Sequence, residues 1–205
     1  EMWIICTKAG FRPDPYFPYF IAVWMLLAPG FSHAFEAGVA LFLLFVGFQV
    51  LRRPGRDIDE LISTLFCGFY APTGLLLLLL IRDLGSPETG FLLAVTLLLM
   101  VWGNDVFAYF GGKRFGHRLL APSVSPKKTW EGFFSGFVGA FAGLLITFYL
   151  IPVPFPTGLA PALPLVVLVS IFGPIGDLAE SKLKRAAGVK DASTILPGHG
   201  GFLDR

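Results

Sequence analysis

The sequence predicts an all-α, polytopic integral membrane protein of about five to six transmembrane helices, with cytoplasmic loops forming its functional site. Three observations lead there. Of 205 residues, 55% are hydrophobic and only 15% charged, against about 25% charged in an ordinary soluble domain. The apolar residues fall in long blocks that do not alternate, which favours helix over barrel strand. The Lys and Arg residues crowd into one alternating set of the loops between those blocks.

The spans come first. About 20 helical residues cross about 30 Å of hydrocarbon. Ser32–Leu51, Leu61–Ile81, Gly90–Phe110, Gly132–Ile151 and Ala160–Gly176 meet that requirement. Tyr16–Pro29 is shorter and flanked by prolines, so it is either a clipped span or an interfacial helix. Gly132, Gly136, Gly139 and Gly143 recur at spacings of three and four, which places small residues on one helix face and permits close backbone approach. Packing is the expected role of that face, and it also offers a plausible homodimer surface.

The loops fix the expected orientation. Lys8 and Arg12 precede the first span. Arg52, Arg53 and Arg56 share one loop, and Lys113, Arg114, Arg118, Lys127 and Lys128 share another. Lys182, Lys184, Arg185, Lys190 and Arg205 follow the last span. Of 16 Lys and Arg, only Arg82 lies in the other set of loops. The positive-inside rule then puts Lys113–Trp130 and Asp177–Arg205 together on the cytoplasmic face.

Other features set bounds. A net charge of +2 is too small to argue for nucleic acid. Cys6 and Cys67 fall in unrelated segments and suggest small apolar packers, with no disulfide framework or zinc site. The chain starts at Glu1 and stops at Arg205 in mid-motif, so both ends of a longer chain are expected beyond it. One membrane domain over 1–205 is expected, with 1–101 mainly a spanning scaffold and 102–205 the catalytic portion.

Three stretches carry unusual chemistry. In "WGNDVFAYFGGKRFG", Asn104 and Asp105 sit near the cytoplasmic end of an apolar helix. A carboxylate at membrane depth is costly and normally faces a cavity or a partner, Lys113 or Arg114 being the plain choice of partner. In "SPKKTWEG", Ser125-Pro126 favours a turn and the glutamate opens a helix, so its amides and Lys127 and Lys128 suit an anion. The same two lysines also serve simply to hold the loop in the cytoplasm. In "GDLAESKLKR", Asp177, Glu180, Ser181 and Lys184 share one helix face at i, i+3, i+4 and i+7. Such a stripe can bind a divalent cation and a phosphate together, because Mg²⁺ takes hard oxygen ligands and often shares substrate phosphates. The simpler reading is a Glu180–Lys184 ion pair on a wet face. Gly188 would end the helix. Beyond it, Pro197, Gly198, Gly200 and Gly201 force an irregular backbone around His199, a position suited to contacting a ligand.

Ser181, Lys184-Arg185, Lys190-Asp191, Pro197, His199-Gly200-Gly201 and Asp204-Arg205 resemble the motif of the phosphatidate cytidylyltransferases, or CDP-diacylglycerol synthases. The other two stretches look like cytoplasmic elements of the same family, and the resemblance covers roughly Trp102–Arg205. The family's motif continues with an acidic residue just past the Asp-Arg pair, where this chain stops. The resemblance implies a Mg²⁺-dependent nucleotidyl transfer: CTP and phosphatidate give CDP-diacylglycerol and pyrophosphate in phospholipid synthesis, at the cytoplasmic side of what is expected to be a bacterial plasma or inner membrane. On that basis Asp177 and Asp204 are expected to hold metal, with Glu180 and Asp105 as further candidates. Lys184, Arg185 and Lys190 are expected to contact phosphates. Lys127 and Lys128 would clamp CTP or the lipid head group. Asn104, Ser181 and Arg205 would join the substrate site, and His199, Gly200 and Gly201 would form a nucleotide-contacting loop.

Three other readings compete. A membrane lipid kinase, or a cytidylyltransferase acting on an isoprenoid or other lipid phosphate, would share this chemistry. An anion transporter would scatter charge through several spans at mid-depth, whereas here charge gathers on one face. A purely structural subunit would need none of the His-Gly-Gly and Asp-Arg spacing.

Overall fold

The computed structural model describes residues 1–52, 58–151, 158–195 and 200–204. Arg53, Arg56, Pro197, Gly198, His199 and Arg205 lie outside the described residues. Seven α-helices are present among the described residues: α1 (Met2–Lys8), α2 (Phe17–Leu27), α3 (Ala34–Arg52), α4 (Ile58–Arg82), α5 (Pro87–Phe115), α6 (Trp130–Leu150) and α7 (Leu163–Ala186).

The all-α membrane class is what the structure has. Among the described residues, four helical stretches are long and apolar enough to cross a membrane: Ile58–Arg82, Pro87–Phe115, Trp130–Leu150 and Ala160–Ala186. The chain is an integral membrane protein. The expected span at Ser32–Leu51 falls on α3, a 19-residue helix over Ala34–Arg52, and that at Tyr16–Pro29 on the shorter apolar helix Phe17–Gly30. At about 1.5 Å per residue Phe17–Gly30 falls short of the about 30 Å of a hydrocarbon core. Pro29 shortens the second by forcing its last turn into a 3₁₀ form over Ala28–Gly30.

The structure also adds a β-hairpin. Leu119–Ala121 (β1) pairs antiparallel with Ser125–Thr129 (β2), in a register that sets Leu119 opposite Thr129 and Ala121 opposite Ser125. The turn expected at Ser125-Pro126 is therefore the start of a strand. Pro126 disfavours helical backbone at the residue before it and pushes Ser125 into the extended region.

The chain divides into two compact units, one of Glu1–Leu80 with Leu183–Arg205, the other of Ile81–Lys182. In the second unit, helix ends are set by ordinary capping. Ser86 accepts from the Thr89 amide at 3.2 Å, with Pro87 in the first turn of α5. Thr129 accepts from the Gly132 amide at 3.2 Å to start α6. Lys113 and Arg114 occupy the last turn of α5, where the helix dipole favours cations.

The glycine face of α6 packs on α5. A Cβ at Gly139 would sit 2.0 Å from the Gly103 carbonyl oxygen, and one at Gly143 would sit 2.4 Å from that of Leu99. The face expected to meet a second copy is covered by the chain's own α5. Met100, Ala140, Leu144, Ala162, Val166 and Val169 form the buried core of this unit.

In the first unit, Met2, Ile5, Cys6, Cys67, Ala187 and Ala192 form the core. Cys6 and Cys67 are buried free thiols in this one cluster, so their segments meet in space. α7 ends as Gly188 predicts. Gly188 has φ +67°, and the Val189 amide donates to the Lys184 carbonyl at 2.9 Å.

Candidate active site

Two polar assemblies stand out, one in each unit. In the second unit a cavity of about 510 Å³ is lined by Asn104, Asp105, Lys113, Lys127, Lys128 and Asp177, among others. α5 supplies the first three, β2 the next two and α7 the last. The three sequence stretches singled out by their chemistry thus each send residues to one cavity. Lys128 forms an ion pair with Asp177, with side chains 26% and 54% exposed. Its ammonium also donates to the Pro174 carbonyl at 3.5 Å.

The hairpin that presents these lysines is pinned to α6. The Arg118 amide donates to both Glu131 carboxylate oxygens at 3.3 Å. The Trp130 amide donates to the Arg118 carbonyl at 2.9 Å. Neither Lys113 nor Arg114 pairs with Asp105 among the described residues. Lys113 instead lies 5.9 Å from the centre of the Tyr109 ring.

Asn104 is buried, and among the described residues both its amide atoms lack a hydrogen-bond partner. Leaving such a group unpaired costs about 1–3 kcal/mol. Gly136 makes room for it, because a Cβ there would come within 2.7 Å of Asn104 Nδ2. A polar group kept in this costly state on a cavity wall is suited to completing its bonds on a ligand.

In the first unit the C-terminal tract is organised by two carboxylates. Asp204 Oδ1 accepts from Lys184 Nζ at 2.6 Å, and Oδ2 accepts from the Ala192 and Gly201 amides, each at 2.8 Å. Burial alone would raise the Asp204 carboxyl, but the bonds from Lys184, Gly201 and Ala192 outweigh it and hold the group below its usual range. Glu1 Oε1 accepts from Ser193 Oγ at 2.6 Å and from the Phe202 amide at 2.8 Å. Glu1 Oε2 accepts from the Leu203 amide at 2.5 Å.

The glycine pair follows from this geometry. Gly200 has φ +86°, a left-handed backbone that side chains disfavour. A Cβ at Gly201 would lie 2.7 Å from Glu1 Oε1.

The remaining predicted residues are placed more simply. Glu180 and Ser181 lie on α7 and are half-buried. Arg185 is exposed and donates to the Val189 carbonyl at 3.5 Å, and Lys190 is exposed. His199 and Arg205 fall outside the described residues. Sequence reasoning overlooked Glu1 and Ser193, whose signal is invisible in local pattern. It gave Lys113 the roles of loop cation and counter-ion to Asp105 and did not place it among the site residues, although Lys113 lines the cavity.

A further cavity of about 340 Å³ in the first unit has an aromatic and aliphatic lining that includes Phe17, Phe20, Trp24, Phe42 and Leu76. It offers no charge to hold a phosphate.

The profile of the cytidylyltransferase family matches residues 5–205. A phosphatidate cytidylyltransferase of Bacillus subtilis is 36% identical over 193 residues, 90% of this chain and 70% of that protein. One of Brucella abortus is 47% identical over 137 residues, 67% of this chain and 49% of that protein. A chloroplastic phosphatidate cytidylyltransferase of Arabidopsis thaliana is 49% identical over 104 residues, 50% of this chain and 25% of that protein. The matched region is thus about half the length of the Brucella relative.

Proposed function

This chain belongs to the cytidylyltransferase family, and we propose that the protein it represents makes CDP-diacylglycerol and pyrophosphate from CTP and phosphatidate, at the cytoplasmic face of the membrane. The observation that carries this reading is the cavity in which Asp105 and Asp177, on the apolar helices α5 and α7, lie with Lys113, Lys127 and Lys128. A site for two polyanions, one of them anchored in lipid, needs this mixture of charges in this kind of place.

The chemistry is a single displacement. A phosphatidate phosphate oxygen attacks the α-phosphorus of CTP, a new P–O bond forms, and the bond to the β-phosphate oxygen breaks to release pyrophosphate. The attacking oxygen is already anionic, so no serine or cysteine nucleophile is required. The protein's work is to bring two repelling anions together and to stabilise the charge that develops on the leaving group. Lys127 and Lys128 clamp phosphate at the cavity, and Lys113 adds a third ammonium. Asn104 supplies an amide to the bound substrate. Lys184, Arg185 and Lys190 meet phosphates from the C-terminal tract, with Ser181 beside them. By the family resemblance, His199, Gly200 and Gly201 contact the nucleotide and Arg205 joins the substrate site.

The donor set fits Mg²⁺. Asp177 is 54% exposed and lines the cavity, with hard carboxylate oxygens to offer. Among the described residues no group of three or more His, Cys, Asp or Glu is arranged for an ion. Mg²⁺ commonly takes only one or two carboxylates and completes its shell from phosphates and water. Asp177 would hold it, with Glu180 and Asp105 as further ligands in the same unit, while the metal role expected of Asp204 does not fit a carboxylate already engaged by Lys184 and two amides. Bound there, it supplies Lewis-acid neutralisation of phosphate charge. The cytoplasmic orientation rests on the Lys and Arg placement in the loops.

The test is CTP turnover by the purified full-length protein in detergent. Pyrophosphate release that requires both phosphatidate and Mg²⁺ and stops with EDTA, with CDP-diacylglycerol as product, is expected. A folded protein that turns over only with ATP, or only with another lipid phosphate, would overturn the substrate assignment. One that turns over none of these would overturn the enzyme assignment.

A further inference from the structure

We propose that Glu1 is a positioning residue for nucleotide binding: its carboxylate holds the Gly201–Asp204 backbone in the conformation that the site requires. The role rests on the reading that this tract contacts the nucleotide.

Three observations on the molecule carry the proposal. The Glu1 side chain makes no hydrogen bond to the first turn of α1. It accepts three hydrogen bonds elsewhere: from Ser193 Oγ at 2.6 Å, the Phe202 amide at 2.8 Å and the Leu203 amide at 2.5 Å. Those donors sit next to the ones used by Asp204, which takes the Ala192 and Gly201 amides. Two carboxylates therefore tie the same two stretches together, 192–193 and 201–203. Gly201 leaves the space that lets Glu1 come this close, since a Cβ there would stand 2.7 Å from Glu1 Oε1 and 2.9 Å from Ser193 Oγ.

The charge state suits the task. Burial works to raise the Glu1 carboxyl, but the bonds from Ser193, Leu203 and Phe202 outweigh it and keep the group below its usual range. An ionised carboxylate accepts from several donors at once, and such bonds are stronger than those to a neutral acceptor. A glutamine of the same shape would turn an N–H donor toward at least one of the donors now satisfied.

The experiment compares the wild-type full-length protein with Glu1→Gln, Ser193→Ala and the double variant. Hydrogen exchange at Phe202 and Leu203 is read alongside CTP kinetics. In Glu1→Gln, exchange at these two amides speeds up by at least about tenfold, as expected when a charged acceptor is lost. KM for CTP rises by about the same factor while KM for phosphatidate and kcat at saturating CTP change far less. Adding Ser193→Ala to Glu1→Gln changes KM for CTP by less than it does in the wild type, because the two act through one contact. Wild-type exchange in Glu1→Gln would overturn the structural half of the proposal. Faster exchange with an unchanged KM for CTP would overturn its role in the site. Wild-type protein with no CTP turnover would defeat the functional reading instead, while the exchange data still decide whether Glu1 holds the tract.

Discussion

Lys184 Nζ lies 2.6 Å from Asp204 Oδ1, with the two side chains only 14% and 9% exposed. An enclosed pair of this kind is costly to break one side at a time, because the remaining charge is left without compensation. Lys184→Met should therefore destabilise the C-terminal tract by about 3 kcal/mol, near the lower end for buried pairs. Proteolysis of the tract in the otherwise folded protein should accelerate, and CTP turnover should be lost. Peptide mapping after brief protease treatment checks the first, and pyrophosphate release checks the second.

The two carboxylates of the tract, Asp204 and Glu1, predict a pH dependence. The folded-state carboxyls of Asp204 and Glu1 both lie below their ordinary values of 3.8 and 4.5. A depressed carboxyl contributes stability that is fully present above its unfolded value and is lost as pH falls through its folded value. The tract should keep constant protection from neutral pH down to about pH 5 and lose it progressively below about pH 4. Hydrogen exchange at the Gly201 and Leu203 amides, corrected for the intrinsic pH dependence of exchange, measures this. In Asp204→Asn the acid loss at Gly201 should shrink, because the titrating acceptor is gone.

Helix packing gives a prediction independent of chemistry. Gly139→Ala puts a methyl where the Gly103 carbonyl oxygen lies 2.0 Å away, and that atom is backbone. α5 and α6 must separate to admit it, at a cost of about 1–3 kcal/mol. Thermal unfolding in detergent should show a lower midpoint for Gly139→Ala. Gly74→Ala is the control, since a Cβ at Gly74 on α4 meets nothing within 4 Å. Its midpoint should hold or rise, as alanine favours helix.

The glycine face of α6 was legible in the sequence because a contact between helices imposes its own spacing on one of them. Gly132, Gly136, Gly139 and Gly143 carry that spacing, and the space they leave is filled by α5. The stripe from Asp177 to Lys184 was legible for the same reason, as helical period alone puts those residues on one face of α7. Its partners were not. Asp177 pairs with Lys128 and Lys184 with Asp204, and a sequence pattern records neither the distance nor the direction of such contacts. Glu1 lies 192 positions from Ser193 and has no periodic neighbours that would mark it. The helix expected at Ser32–Leu51 was legible from apolar composition alone, and α3 (Ala34–Arg52) runs over nearly the same residues. His199 and Arg205 lie outside the described residues, so their expected roles stand on resemblance alone.

The Lys128–Asp177 pair separates stability from function. Its side chains are 26% and 54% exposed, so its charges are screened by solvent. Exposed pairs contribute about 0–1 kcal/mol, and Asp177→Asn or Lys128→Met should leave the unfolding midpoint near that of the wild type. Turnover should respond quite differently. Both residues line the cavity where the phosphates are proposed to meet, and an electrostatic contact made in the transition state is worth about 10²–10³ in rate. Lys128→Met should lower kcat/KM by at least about 10². Asp177→Asn should in addition raise the Mg²⁺ concentration needed for half-maximal rate, since a carboxamide is a poorer ligand for a hard cation. A magnesium titration of pyrophosphate release in each variant, set beside its melting curve, distinguishes these outcomes. Near-normal turnover in both variants would remove the cavity from the mechanism. A lowered melting midpoint in step with lost activity would make the pair structural.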